Sequence, residues 1–505
     1  MSDDNTRIHK PRTYGNWIEP RTPGIIPGLG LLGSGLVFAG ILLALPFMLF
    51  NLFIWAIAIF MLTCAFAYVI SRKDVHGKSL ATKLVVRVGW WVSTVRRENM
   101  YRGGILGFGP DGSMLLPGLL AKTQVLQAQS AQGAFGVVYC PRQHTYTLVL
   151  RTSPNGEDLV DPEQVDLWVA EWAQSKAEMA DEQGLLQYSV TVETSPANPL
   201  QLRQEVTNQA DGNEPDFAAS VMSTIVDSYP QGSSQAAAYV AFTYSDRRVS
   251  GRRRSQQDML NELASRLPYL VEKMQGTGAG ACSPMDVPDL CRYVRIAYDP
   301  QQAQQFDIAD MQRVPVSLQW KNCGPMATQA SWDCYRHDSG LSETWEMTMT
   351  PKGVVQATIL KRLLAAQQDV LRKRVTWIFR PVPADRKPDV VDKDGTPAYP
   401  ADNAPNTANP PYVGRARAAN QTAEEEANGA GLENFACLVT VTMAGRGSAD
   451  ERADVASSVE NLGSTARLRL RPVYGSQDSA FAAALPLGLS LRQYQAVPAK
   501  YSDML

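Results

Sequence analysis

The sequence predicts an α+β body carried on an N-terminal transmembrane helical hairpin, and three observations lead there. From Thr22 to Ser71 the chain has no Asp, Glu, Lys, Arg or His, which is room for two helices of the roughly 20 residues a bilayer requires. The remainder of the 505 residues alternates short β-rich runs with runs of helical period. In its C-terminal half a strand, helix, strand pattern occurs twice in succession.

Residues 1–25 form a short N-terminal segment and residues 26–71 the hairpin, with spans expected at Leu29 to Met48 and Leu52 to Ile70. The break belongs between Pro46 and Asn51, because proline lacks a helix donor and asparagine favours turns. Arg7, Lys10, Arg12 and Arg21 precede the hairpin, and Arg72, Lys73, Lys78, Lys83 and Arg87 follow it, whereas the connecting turn is uncharged. The bias of positive charge toward the cytoplasm then places both termini on the cytoplasmic side of the plasma membrane. A cleavable signal peptide fits poorly, since the apolar run is too long and starts too late. A buried hairpin in a soluble protein is disfavoured because neither helix has a polar face.

Residues 72–119 are expected to hold an interfacial helix and a connector. Between Lys78 and Arg97, Leu80, Leu84, Val85, Val88, Trp91, Val92 and Val95 interleave with Lys83, Arg87, Arg96 and Arg97. This pattern suits a helix lying in the headgroup layer, with Trp90 and Trp91 at interface depth; an ordinary surface helix packed on the body has the same pattern.

Residues 120–283 form the first α+β subdomain. Strands are expected at Phe135 to Tyr139 and Thr145 to Arg151, then a helix from Pro162 to Asp181 and a strand from Leu186 to Glu193. Helices at Leu200 to Thr207 and Asp216 to Ser228 lead to a strand from Ala237 to Tyr244, and a further helix covers Met259 to Met274. The run Gly276-Thr277-Gly278-Ala279-Gly280 lacks the Lys-Ser/Thr ending of a phosphate loop and follows a helix, so it reads as a helix stop and turn. Arg247, Arg248, Arg252, Arg253 and Arg254 make the densest basic cluster, able to contact anionic lipid or a nucleic-acid backbone, or to stand as a solvated loop.

Residues 284–488 form the second subdomain. A helix from Val287 to Ala297 precedes a strand at Trp345 to Met349, a helix at Val354 to Gln367 and a strand at Arg374 to Phe379. The pattern recurs as strand Phe435 to Met443, helix Ala449 to Arg467 and strand Leu468 to Pro472. Two successive βαβ units predict a ferredoxin-like subdomain, of which the first half of the body is a diverged copy. The insert 382–431, rich in Pro, Asp, Asn and Ala, is expected to be disordered through Pro411, with a charged helix from Arg415 to Asn428. Residues 489–505 are a tail.

Chemistry is sparse. A formal net charge of -2 carries no overall signature of nucleic-acid binding. Seven scattered cysteines without a CxxC pair suit reduced thiols and disfavour structural zinc. Four histidines offer no convincing metal set, and Tyr335-Arg336-His337-Asp338-Ser339 reads as a polar turn, since adjacent side chains do not converge as a triad must. Gly77-Lys78-Ser79 has the ending of a phosphate loop but Arg72 where its leading glycine belongs. No catalytic residue, cofactor or metal site is expected.

Several segments carry a resemblance. Arg12-Thr13-Tyr14-Gly15-Asn16-Trp17 with Pro20-Arg21 and Pro23-Gly24, Val160 to Trp168, Tyr335 to Ser339 with Thr344-Trp345-Glu346-Met347, and Tyr474-Gly475-Ser476-Gln477 together resemble an actinobacterial family of integral membrane proteins from conjugation-like clusters related to type IV secretion. The last signature, followed by Ala480-Phe481 and Ala484-Leu485-Pro486-Leu487-Gly488, also looks like the segment that closes the amino-terminal domain of VirB-type conjugation ATPases just before their motor. The hairpin is similar to the two-helix subunit that accompanies that ATPase.

The resemblance implies a non-enzymatic, membrane-anchored component of a type IV secretion-like transfer apparatus, oligomeric in its assembly, that docks a separate cytoplasmic ATPase and further subunits. Tyr474, Gly475, Gln477, Phe481, Leu485 and Pro486 are then the expected docking residues, the alternative being that Phe481, Leu485 and Leu487 simply pack the last helix. The expected partners are membrane lipid and the ATPase, with DNA contact resting on the arginine loop alone. A structural membrane subunit of a type VII secretion complex is the alternative function, and a membrane-tethered hydrolase using His337 and Asp338 the enzymatic one.

Overall fold

The computed structural model describes residues 13–15, 17, 30–72, 74–105, 107, 112–154, 156, 160–196, 206, 215–228, 234–247, 251–351, 355–367, 369–382, 421, 424, 431–445 and 447–494. It is a mixed structure of helices and antiparallel sheet.

Helix α1 (Gly30–Leu49) and helix α2 (Phe53–Ser71) pack against each other. They meet closely at Gly40, where an added Cβ would lie 2.1 Å from Thr63 Oγ1, as small residues permit between apolar helices. Helix α2 is long and apolar enough to cross a membrane, while the apolar part of α1, Gly33–Leu49, is shorter. Pro46 lies inside α1, and the helix runs on to Leu49, within the expected break region. The break comes at Asn51, in the left-handed conformation with φ 60°, and Leu52 N donates to Phe47 O at 2.9 Å to close the helix end. Leu42, Leu49, Ile54, Trp55 and Leu62 all stay exposed.

Helix α3 (Leu80–Val95) starts at Ser79, whose hydroxyl accepts from Thr82 N. Beyond it, thirteen strands form one sheet among the described residues. In chain order they are β1 (Met100–Arg102), β2 (Gln124–Ser130), β3 (Gly133–Cys140), β4 (Thr145–Ser153), β5 (Leu185–Pro196), β6 (Ser234–Ser245) and β7 (Ala281–Pro284). Then come β8 (Ala327–Ala330), β9 (Tyr335–His337), β10 (Gly340–Met349), β11 (Arg372–Pro381), β12 (Glu433–Ala444) and β13 (Arg469–Pro472). The helices among them are α4 (Pro162–Asp181), α5 (Asp216–Ser228), α6 (Gln256–Met274), α7 (Val287–Tyr298), α8 (Gln302–Met311), α9 (Lys361–Leu364), α10 (Ala449–Thr465) and α11 (Gln477–Ala484).

The pairings reveal two modules of the same design. In the first, β4, α4, β5, β6, α6 and β7 place their strands in the spatial order β7-β4-β6-β5, each pair antiparallel. In the second, β10, α9, β11, β12, α10 and β13 give β13-β10-β12-β11, again antiparallel throughout. The modules join edge to edge, β5 beside β11, with Tyr188 facing Phe379 and Thr194 facing Lys373. Alternation along these strands explains the two faces. Tyr188, Val190, Val375 and Trp377 point to the side covered by α4, α6 and α10, while Thr191, Glu193, Arg374 and Thr376 point to the other. Helices α6 and α10 each begin with a capping box, Ser255 with Asp258 and Ser448 with Glu451.

Three expectations need correction. The helix expected over Val354 to Gln367 is a single 3-10 turn and the short α9, because Val355–Gln356 is extended and pairs with Thr13–Tyr14. The polar turn expected at Tyr335 to Ser339 is strand β9 and its hairpin into β10, which begins five residues before Trp345. Strands β1, β2, β7, β8 and β9 and helix α8 were not expected. Nearly all of the helices proposed at 200–207 and 415–428, and of the insert, lies outside the described residues. The glycine run does end α6, and Gly278, at φ 80°, lies so near Trp168 that a Cβ would come within 2.7 Å of its ring.

Candidate functional site

The segment expected to dock a partner crosses the face of the sheet opposite α4, α6 and α10, where α7 also packs. It leaves β13 through Gly475, at φ 75°, whose N–H donates to Trp332 O at 2.7 Å. Beneath it runs a line of hydroxyl pairs, Thr147 with Thr243, Thr191 with Thr376 and Thr344 with Thr440, at 3.0–3.2 Å. Main-chain carbonyls of the segment meet this polar line: Thr376 donates to Ala484 O and Gln187 to Leu489 O. Phe481 is fully buried between Tyr298, Tyr335 and His337, with ring centroids 4.9–5.4 Å apart.

Gln477, Phe481, Leu485 and Pro486 are therefore interior residues and present no surface to a partner. They cover the sheet that the preceding strands build. Tyr474 and Gly475 remain half-exposed, and what they meet is helix α3. Trp332 stacks on Tyr474 at 5.7 Å and meets Trp90 edge-on at 5.4 Å. The Arg87 guanidinium lies 4.7 Å over Trp332, and Arg471 lies 5.3 Å over Tyr474. Lys78 pairs with Glu346 at 3.1 Å, and Arg469 donates to Val75 O at 2.7 Å. The opposite side of α3 carries Leu84, Val85, Val88, Trp91 and Val95, each more than half exposed. One face of this helix is thus fixed to the body and the other is an uncovered apolar stripe.

The histidine cluster disperses its side chains. His337 Nδ1 lies 2.6 Å from Tyr298 O and Nε2 lies 2.7 Å from Ser342 Oγ, so the ring ties α7 to β10. Burial pushes its pKa down to about 4. Asp338 accepts instead from the Met326 and Ala327 amides, and Ser339 donates to Asp299. No nucleophile, base and acid converge here.

The arginine loop is partly neutralised. Arg254 pairs with Glu262 at 2.8 Å, whereas Arg247, Arg252 and Arg253 are exposed and Arg248 lies outside the described residues. Among the described residues no group of three or more His, Cys, Asp or Glu is placed to hold a metal ion.

A polar cleft of about 1000 Å³ opens beside β5 and α7, lined in part by Arg151, Tyr239, Arg292 and Arg372. At its floor the buried Glu193 pairs with Arg372 and, at 2.8 Å, with Arg374, and it accepts from Tyr293 Oη at 3.0 Å. Burial alone would raise the Glu193 carboxyl, but the two guanidinium groups hold it at about 2. This network was missed in the sequence. Its one signal is a charge sharing a strand face with a threonine, Glu193 two residues after Thr191 and Arg374 two before Thr376.

No known protein family matches the chain, and no curated protein is similar to it.

Proposed function

We propose that this protein is a non-enzymatic, membrane-anchored component of a type IV secretion-like conjugative apparatus, joining a two-span hairpin to a cytoplasmic body that docks a separate ATPase. The observation that carries the reading is the pairing of Thr13–Tyr14 with Val355–Gln356. It supports a chain before the hairpin that lies on the same side as the body; a membrane-crossing α2 then needs a return pass, for which α1 is the candidate. Its 20 helical residues suffice for a core of about 30 Å at 1.5 Å per residue. Both termini are then cytoplasmic, in line with the basic residues on either side.

The body supports the same reading. Two βαββαβ modules with the strand order 4-1-3-2 are ferredoxin-like repeats, and the signature Tyr474 to Gly488 closes their common face. The uncovered stripe of α3 lies in the inner headgroup layer, eight residues after α2 ends. Affinity capture from detergent extracts of cells carrying the intact chain tests the proposal. Recovery of a conjugation-type ATPase is expected; its absence from the captured set, with the hairpin intact, overturns the reading.

A further inference from the structure

On the helix-bearing side, the junction of β5 and β11 forms the floor of an apolar groove of about 420 Å³ between α4 and α9. Trp172, Val190, Trp377, Phe379 and Leu360 line it, and so does Trp17 from the segment before the hairpin. Val355 and Gln356, at its rim, are the residues that pair with Thr13 and Tyr14.

We propose that this groove is the receptor for the chain's own N-terminal arm, and that the arm is a cytoplasmic strap with Trp17 as its anchor. The inference rests on the two-span reading above and adds where the entering chain is held. One contact sets the arm's register, the short antiparallel ladder of Thr13–Tyr14 with Val355–Gln356, and Trp17 stands at the border of a groove whose aromatic walls suit an indole ring. Twelve residues, 18–29, separate Trp17 from α1; at 3.3–3.6 Å each they reach at most about 43 Å, so a seated arm limits where the hairpin can stand. The exit from the hairpin is held nearby. Ala466 and Leu468 line the groove, and the next residue, Arg469, binds the Val75 carbonyl in the link after α2. Entry and exit of the hairpin are thus both held beside this groove, the entry at Val355–Gln356 and the exit at Arg469.

The test uses the full chain in membrane vesicles with Thr13→Cys and Gln356→Cys, which face each other in the ladder. Copper-phenanthroline oxidation is followed by gel mobility, the chain without the engineered pair being the blank for its own seven thiols. Rapid cross-linking is expected, slowed at least tenfold by Trp17→Ala and little by Trp17→Phe. Cross-linking that is indifferent to Trp17→Ala overturns the anchor. Failure to cross-link while a membrane-impermeant maleimide labels position 13 from the cytoplasmic side overturns the strap and leaves the two-span reading standing. Labelling of position 13 only from the opposite side overturns both.

Discussion

Gln477 holds Thr344 by both of its backbone groups: Thr344 N donates to Oε1 at 2.8 Å, and Nε2 donates to Thr344 O at 3.2 Å. Thr344 stands at a gap in the ladder. On that edge β10 pairs with β9 up to Ser342 and with β13 from Trp345 onward; Val473 N, just past β13, also reaches Thr344 O at 2.9 Å, and the buried Gln477 amide supplies the acceptor that Thr344 N otherwise lacks. Gln477→Leu leaves the Thr344 amide without a partner in the interior, which costs about 1–3 kcal/mol. Urea unfolding of the chain in detergent, compared with the parent, measures the loss.

His337 makes the fold sensitive to acid. Its pKa, near 6.5 when unfolded, is pushed down to about 4 by burial, so the unfolded chain binds the extra proton. The stability it contributes is complete above about pH 6.5 and is lost as pH falls through 4, a change of roughly 3 kcal/mol. His337→Gln should flatten that part of a profile of melting temperature against pH. An unchanged slope between pH 6.5 and 4 would show that the imidazole is not the group responsible.

Gly488 is where the C-terminal segment comes nearest the sheet. At φ 73° its missing Cβ would lie 1.9 Å from Thr147 Oγ1 and 2.4 Å from Thr243 Oγ1. Gly488→Ala meets both steric overlap and an unfavourable backbone region, and is expected to cost more than about 1 kcal/mol. Gly488→Ala combined with Thr147→Ser and Thr243→Ser, which keep the hydroxyls, should recover little, because the hydroxyl oxygens are themselves the obstruction. Thermal unfolding of the two variants makes the comparison.

Removing Glu193 strands a charge. Arg374 is 1 % exposed, and Glu193→Gln leaves it in the interior without its counter-ion, at a cost of about 3–5 kcal/mol. Pairing the change with Arg374→Met should return most of that loss, since the buried cation is then gone as well. Guanidinium titrations of the single and double variants read the difference, and a double variant no better than the single would refute the account.

Contact between α3 and the body depends on Trp332. Trp332→Ala deletes the surface that Arg87 and Trp90 share, and Arg87→Ala alone removes a cation–π contact of about 0.5–1 kcal/mol. Limited proteolysis in the link 72–79 should accelerate two- to fivefold for Arg87→Ala and further for Trp332→Ala.

What the sequence discloses follows from how local each signal is. The two apolar helices α1 and α2, the helix α3 and the strands β5, β11 and β12 all carry their periodicity within themselves, and each is found as a helix or strand where one was expected. Strand β2, Gln-Val-Leu-Gln-Ala-Gln-Ser, has glutamines where a buried strand has apolar residues, because it lies at the end of the sheet. Residues 355–356 are extended only because a segment more than 300 residues away pairs with them, a fact no local window contains. The docking assignment for Phe481 and Leu485 faltered for a related reason. Apolar spacing in an eight-residue helix is equally consistent with an open surface and with a lid on the sheet, and only the surroundings of α11 distinguish the two.

The β5–β11 junction has a mechanical consequence. Seven consecutive residue pairs, Tyr188–Phe379 through Thr194–Lys373, join the two modules, and ladder hydrogen bonds lie perpendicular to the strands they connect. Tension along the strands therefore loads the seam in shear, with its bonds sharing the force together instead of opening one after another. Under such a pull the two modules are coupled through all seven pairs at once.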